Sequence, residues 1–278
     1  NKGKLDVRRG SDPFFNGLLM RGACRAGLRR RILKVISARN IAGNTLPPVY
    51  EIGGEFSMHV LFVHKNFPAQ FGHIASYLIR DHNFRCSFVC ELPPAVIDGI
   101  DRIQYKIAGG ATKQTHYCSR TFENAVWHSH AVYEAMKQRP DVKPDLIVGH
   151  SGFGSTLWLA DLYDCPMINY FEYYYRSKGS DLDFRPDFPV KELDVLRSRT
   201  RNSMILSDLQ NCARGYCPTT YQQSLFPSEY QPKLDAIFDG VDTKIWYRKD
   251  VPREWDGRTF DANTKIVTYV SRGFESMR

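Results

Sequence analysis

Short apolar runs, separated by polar turns and amphipathic stretches, dominate the chain from Met58 onward. The runs are continuous rather than alternating, which is typical of strands buried on both faces of a parallel sheet. We predict strands in HVLFVH (59–64), FRCSFVCE (84–91), IQYKIAGG (103–110), PDLIVGH (144–150), CPMINYFEYYY (165–175), GYC (215–217), KLDAIFDGVD (233–242) and TKIVTYVSRGF (264–274).

The segments between these runs carry apolar residues at helical spacing. We predict helices in IASYLIRDH (74–82), NAVWHSHAVYEAMKQR (124–139), GSTLWLADLYD (154–164) and VKELDVLRSRTRNSMILSDLQNCA (190–213). Strands that alternate with helices imply an α/β fold, namely a Rossmann-like, doubly wound parallel sheet. Ligands of such sheets bind at the carboxyl ends of the strands, so we expect a site in the loops that follow them.

Positive charge is concentrated at one end of the chain. Residues 1–57 hold eleven Lys and Arg but four Asp and Glu, whereas residues 58–278 hold 27 and 26. This nearly neutral remainder argues against a nucleic-acid partner. We interpret residues 1–57 as a disordered tail or a non-native extension ahead of Met58, in preference to an organelle transit peptide.

The cysteines and the hydropathy indicate a cytoplasmic protein. The seven cysteines lack the spacing of a four-ligand zinc site, which favours reduced thiols. No apolar stretch approaches the roughly 18 residues that a membrane span needs. Lys191, Arg197, Arg199 and Arg201 lie on one predicted helix, which fits either a solvated face or peripheral contact with the inner face of a membrane.

Several segments together resemble the family-4 glycosyltransferases of GT-B fold. They follow one another in the family's order: MHVLFVHKNFPAQFGHIASYL (58–78), PDLIVGHSGFG (144–154), YFEYYYR (170–176), GYCPTTYQQSLFP (215–227), IFDGVDTKIW (237–246) and IVTYVSRGFESMR (266–278). The resemblance implies that residues 58–250 form the acceptor-side domain, the first half of a two-domain GT-B architecture. It also implies that residues 251–278 are a linker and the entry to a donor domain that is cut off.

The resemblance further implies a retaining glycosyltransferase that uses a nucleotide-sugar donor. The expected acceptor is a glycan or a lipid-linked glycan, as in polysaccharide biosynthesis, and no metal is expected. Activity is expected to need the second domain. The alternatives are a sugar-nucleotide epimerase or phosphorylase of similar architecture, and a non-catalytic module that binds a nucleotide or carbohydrate. A complete G-x-G-x-x-G after the first strand, which would favour a dinucleotide-binding domain, is missing.

His150 is the predicted catalytic residue, because it ends a buried strand and matches the family's active-site histidine. We expect it to face the cleft, where a neutral imidazole would donate a hydrogen bond to a sugar hydroxyl. The alternative is a histidine with a local structural bond only.

The donor phosphates are expected at Gly72, Arg272 and Arg278. Gly72 matches a backbone position near the donor phosphate, at a helix start that favours anions, although the family often has two adjacent glycines here. The two arginines match a basic pair that would neutralise the diphosphate. A turn glycine and two solvated arginines are the alternatives.

Acceptor binding is assigned to Gln70, His73 and Glu172. Glu172 lies among tyrosines, whose faces stack on sugar rings, but the same aromatic residues fit a strand packed under a helix, which is the favoured interpretation there. Asp239 is expected only to form a turn with Gly240.

Overall fold

A seven-stranded parallel sheet forms the centre of the molecule. The computed structural model describes residues 58–91, 96–154, 156–241, 243–244, 246–248 and 251–267. The extension predicted at 1–57 and the end of the strand predicted at 264–274 lie outside these residues. The strands are β1 (His59–Val63), β2 (Arg85–Cys90), β3 (Ile100–Gln104), β4 (Leu146–His150), β5 (Met167–Tyr170), β6 (Arg214–Cys217) and β7 (Leu234–Ala236).

The strand order is β3-β2-β1-β4-β5-β6-β7, so the chain reverses its direction of travel across the sheet between β1 and β4. These two central strands pair in parallel from Val60 beside Leu146 to Val63 beside Gly149. The order confirms the predicted doubly wound sheet. It also places the switch point, where ligands bind in such sheets, at the loops that leave β1 and β4.

Two hydrophobic clusters cover the two faces of the sheet. In β1, Val60 and Phe62 belong to one cluster, Leu61 and Val63 to the other, and all four are fully buried. This explains the continuous apolar run, because successive side chains of a strand point to opposite faces. The flanking helices are α1 (Gly72–His82), α2 (Arg120–Lys137), α3 (Glu192–Thr200), α4 (Asn202–Asn211) and α5 (Thr220–Ser224).

The single helix predicted over 190–213 is wrong, because the structure has two helices, α3 and α4, that meet at Arg201. The junction is fixed to the aromatic segment that follows β5. Asn202 accepts from the backbone N–H of Tyr175 at 2.9 Å and donates to its carbonyl at 2.7 Å, and the Arg201 guanidinium lies 3.5 Å from the Tyr175 ring centroid. Arg197 donates to Tyr117 Oη. Arg197 and Arg201, two of the four basic residues on the predicted helix, thus make contacts within the fold.

The helix predicted over 154–164 is also wrong, because only Leu159–Asp161 form a short 3-10 helix. Residues that would start the helix are bonded elsewhere. Gly154 exchanges backbone hydrogen bonds with His150, and the Thr156 hydroxyl lies 2.9 Å from the buried Asn169 amide nitrogen. These bonds fix the first turn in a non-helical path.

Other boundaries differ by a few residues. The third strand, β3, begins earlier than predicted, and β5 ends at Tyr170, so the aromatic run after it leaves the sheet. A small antiparallel hairpin, β8 (Glu254–Trp255) with β9 (Arg258–Thr259), was not predicted. Within the part of the chain that the structure describes, no helix is long and apolar enough to cross a membrane.

The loop after β4 crosses the end of β1 at very close range. A Cβ at Gly154 would lie 2.1 Å from the Val63 carbonyl oxygen, whereas a Cβ at Gly152 would meet nothing, although Gly152 has a φ of +93°. Lys65 donates its backbone N–H to Phe153 and so closes the crossing. Only glycine permits the backbone contact at position 154.

Gly154→Ala is expected to lower the free energy of unfolding by about 3 kcal/mol, because the backbone of β1 cannot move aside. Gly152→Ala is the matched control, with an expected loss of about 1–2 kcal/mol from its left-handed backbone alone. Urea denaturation of both variants measures the difference. Equal losses would mean that the close crossing is not a constraint.

Candidate functional site

Two histidines meet at the switch point. His64 directly follows β1 and His150 ends β4, and their ring centroids lie 5.1 Å apart at an interplanar angle of 78°. The sequence pointed to His150 but not to His64. His64 could have been found because HVLFVH and PDLIVGH, which form the two central strands, both end in histidine.

The hydrogen bonding of His150 fixes which ring nitrogen is free. Nδ1 lies 3.0 Å from the Ser151 carbonyl oxygen, which can only accept, so Nδ1 carries the hydrogen. Nε2 then presents a lone pair. It is buried, has no hydrogen-bond partner among the residues that the structure describes, and lies 4.0 Å from Glu172 Oε2. Two hydrogen-bond acceptors therefore lie next to each other.

This arrangement corrects the prediction for His150 in two respects. The imidazole was expected to donate to a sugar hydroxyl, whereas Nε2 in this tautomer accepts. It was also expected to open onto a cleft, whereas the residue is 1% exposed. Its cover is aromatic: Tyr170 at 4.7 Å and Phe153 at 5.2 Å between ring centroids, besides His64.

Both imidazoles are neutral near pH 7. Burial, together with the like charge of His64, lowers the pKa of His150 to about 3. Burial likewise lowers the pKa of His64 to about 4, against a weaker opposing effect of its hydrogen bond to the backbone of Asn66. Neither ring is in the charged, doubly protonated form at physiological pH, so neither can act as a general acid.

Glu172 lies at the accessible edge of the histidine pair. Its side chain is 52% exposed, although the preceding Phe171 is packed in the core. The carboxylate accepts hydrogen bonds only, as does Nε2 of His150. A ligand that carries two neighbouring hydroxyls has the donors that this pair of acceptors lacks.

Tyr170 connects the histidine pair to a second group of residues. Its hydroxyl donates to Asp239 Oδ2 at 3.3 Å, while its ring packs edge-on against His150. Burial raises the pKa of the Asp239 carboxyl, against the opposing effects of the Tyr170 hydrogen bond and of His73. Asp239, which the sequence predicted only as a turn residue, therefore also belongs to the polar groups near the switch point.

Gln70 and His73 lie in a separate, largely apolar cavity beside α1. Asp239 shares this cavity with them, and burial lowers the pKa of His73. The structure thus brings Glu172 to His150, and Gln70 and His73 to Asp239. The apolar lining consists of Val60, Phe62, Ile74, Leu78, Phe84, Leu146, Val148, Ile168, Tyr216, Ile237 and Phe238.

Gly72 is the first residue of α1 and is buried. A Cβ there would lie 2.5 Å from Cβ of Pro68, so packing against the preceding loop accounts for this glycine. The predicted phosphate ligands Arg272 and Arg278 lie outside the described residues. Among the residues that the structure does describe, no three His, Cys, Asp or Glu side chains are grouped to hold a metal ion.

Comparison with known proteins gives one family match. The model of the "Glycosyl transferase family 4 group" matches residues 82–246, which is more than half of the chain. This range contains β4, His150 and Glu172. No curated protein matches this sequence significantly.

Solved structures give weaker matches. The calicheamicin glycosyltransferase CalG4 matches at 14% identity and a TM-score of 0.38, over 65% of this chain and 52% of its own. Medicago truncatula UGT71G1, complexed with UDP-glucose, matches at 12% identity and a TM-score of 0.42, over 65% and 50%. The chain therefore spans about half the length of these proteins. Likeness at this level bears on neither substrate nor mechanism.

The buried neutral histidines predict a pH-dependent stability. Below pH 6.5 the unfolded chain binds protons at both positions that the folded chain does not bind until about pH 4 at His64 and about pH 3 at His150. The free energy of unfolding should therefore fall as the pH drops from about 6.5 to 4, by up to about 1.4 kcal/mol per pH unit for each histidine.

Urea denaturation across this range measures the slope. His64→Asn should make the slope shallower by the contribution of one histidine, because His150 still contributes. A slope that is the same in wild type and His64→Asn would show that His64 is not held neutral by the fold.

Proposed function

The chain belongs to the glycosyl transferase family 4 group, and we propose that it carries the His150 side of the active site of a nucleotide-sugar-dependent glycosyltransferase. The family supports sugar transfer as the general activity. The donor, acceptor and stereochemical course given below are parts of the proposal.

The observation that carries the proposal is the buried, unpartnered Nε2 of His150 beside the exposed carboxylate of Glu172 at the switch point. A buried polar atom without a partner is costly, so Nε2 of His150 gains most from a ligand that donates a hydrogen bond. Sugars supply adjacent hydroxyls. One hydroxyl donates to Nε2 and a neighbouring one to Glu172, 4.0 Å away, which fixes the orientation of the ring near the reacting carbon.

The donor in this proposal is a nucleoside diphosphate sugar, and the reaction retains the configuration of the reacting carbon. No metal takes part, so Gly72, Arg272 and Arg278 are the proposed partners of the diphosphate. Backbone N–H groups at the start of α1 and two guanidinium groups stabilise the charge that develops on the leaving nucleotide. A second lobe, facing the switch point, is proposed to hold the nucleotide, and the chain alone is proposed to be inactive.

The acceptor is proposed to be a glycan or lipid-linked glycan that reaches the switch point past Gln70 and His73. Both residues lie near the start of α1, in the cavity that also contains Asp239. The Tyr170 hydroxyl joins Asp239 to the wall of the His150 site. Tyr170 thus contacts both His150 and Asp239, and we propose that the His150 site binds the donor while the cavity beside α1 binds the acceptor of the same reaction.

His150→Ala should reduce turnover by about 100-fold or more in the enzyme that contains this chain, because the sugar loses its buried hydrogen-bond acceptor. Nucleotide release from UDP-glucose and GDP-mannose measures the effect. His130→Ala, on the exposed side of α2, is the matched control and should keep its activity. Wild-type turnover in His150→Ala would refute the proposed role.

Glu172, which the sequence assigned to the acceptor, is proposed here to bind the donor sugar. Glu172→Gln should therefore raise KM for the donor more than it lowers kcat, because the amide still fills the position but is a weaker hydrogen-bond acceptor than the carboxylate. Glu172→Ala should weaken donor binding further. Steady-state kinetics with the same two nucleotide sugars separate these parameters. An effect confined to the KM of the acceptor would move Glu172 to the acceptor side of the site.

A further inference from the structure

Phe153 is the exposed part of an otherwise buried cluster of rings. Its ring stacks on His64, with centroids 5.9 Å apart and planes at 13°, and meets His150 edge-on at 89°. His64, His150 and Tyr170 are all buried, whereas Phe153 is 47% exposed. A large apolar side chain therefore lies half in solvent, directly over the unpartnered imidazole.

The groups that meet His150 differ in their freedom to move. Tyr170 is buried in β5 and is bonded to Asp239, and the backbone of Asn66 holds Nδ1 of His64. Only Phe153 and Glu172 have substantial exposure among the side chains described in contact with His150. A ligand from solvent must displace one of these two to reach Nε2.

The backbone at Phe153 is anchored, so its side chain is the part that can move. Its carbonyl accepts from the Lys65 N–H at 2.6 Å, and its own N–H donates to the His150 carbonyl at 3.0 Å. The next residue, Gly154, is fixed against β1 by the close crossing described above. Rotation of the Phe153 side chain breaks none of these hydrogen bonds, whereas opening the loop would break all of them.

We propose that Phe153 is a gate: its ring covers Nε2 of His150 while the site is empty and rotates away when a sugar ring takes its place. That a sugar is the displacing ligand rests on the function proposed above, whereas the covering itself rests on the geometry alone. Phe153 is a positioning residue, which sets access to His150 without taking part in the chemistry.

Carbethoxylation by diethyl pyrocarbonate tests the gate in the full chain without any sugar. The reagent modifies unprotonated imidazole nitrogens, and mass spectrometry of the digested protein gives a rate for each histidine. Phe153→Ala should speed modification of His150 about tenfold or more, because the cover is removed. Phe153→Trp restores a cover and should keep His150 as slow as in wild type.

Two controls distinguish removal of the Phe153 cover from a general loosening of the fold. His59 is buried at the opposite end of β1 and bonded to Ser87, so its rate should not change in Phe153→Ala. Glu172→Ala should speed the modification of His150 less than Phe153→Ala does.

Three outcomes would overturn the gate: an unchanged His150 rate in Phe153→Ala, a parallel rise at His59, or equal exposure from Glu172→Ala. None of them depends on sugar transfer, so the gate fails separately from the proposed function. Failure of the proposed function would instead appear as wild-type turnover in the His150→Ala variant.

Discussion

The close crossing of the loop after β4 over the end of β1 is the constraint on which the site depends. At Gly154 the two backbones approach so closely that a Cβ would lie 2.1 Å from the Val63 carbonyl oxygen. Backbone hydrogen bonds between Gly154 and His150, and between Lys65 and Phe153, hold the crossing. This contact brings His64, which follows β1, edge to face with His150 at the end of β4, and the Phe153 ring stacks on His64.

The crossing leaves the molecule with an unfavourable group that folding alone does not explain. A neutral imidazole is buried with one nitrogen bonded to Ser151 and the other unsatisfied beside a carboxylate. An unsatisfied buried acceptor costs about 1–3 kcal/mol, and a buried neutral histidine lowers stability further as the pH falls. Features of this kind concentrate at functional sites, where a ligand completes the hydrogen bonding that the fold leaves open.

The sequence predicted the sheet well because central strands such as β1 and β4 are continuous apolar runs, and the alternation of strands with helices along the chain then gave the α/β class. It singled out His150, which ends β4 and matches the active-site histidine of the family it resembles, and Glu172, which follows β5; their roles stay predictions. It missed His64, Phe153 and the hydrogen bond between Tyr170 and Asp239, since these depend on how loops fold back over the strands. The break at Arg201 was missed for the same reason: the bonds of Asn202 to Tyr175 join residues 27 positions apart.

The central claim is that His150 offers a bare Nε2 to the ligand, with the hydrogen on Nδ1. Two-bond ¹⁵N–¹H correlation spectra of the chain labelled at histidine distinguish the two tautomers directly, with His150→Gln to assign the signal. At pH 7 we expect a neutral His150 ring that is protonated at Nδ1 and unprotonated at Nε2. A ring protonated at Nε2, or one that carries both hydrogens, would contradict it.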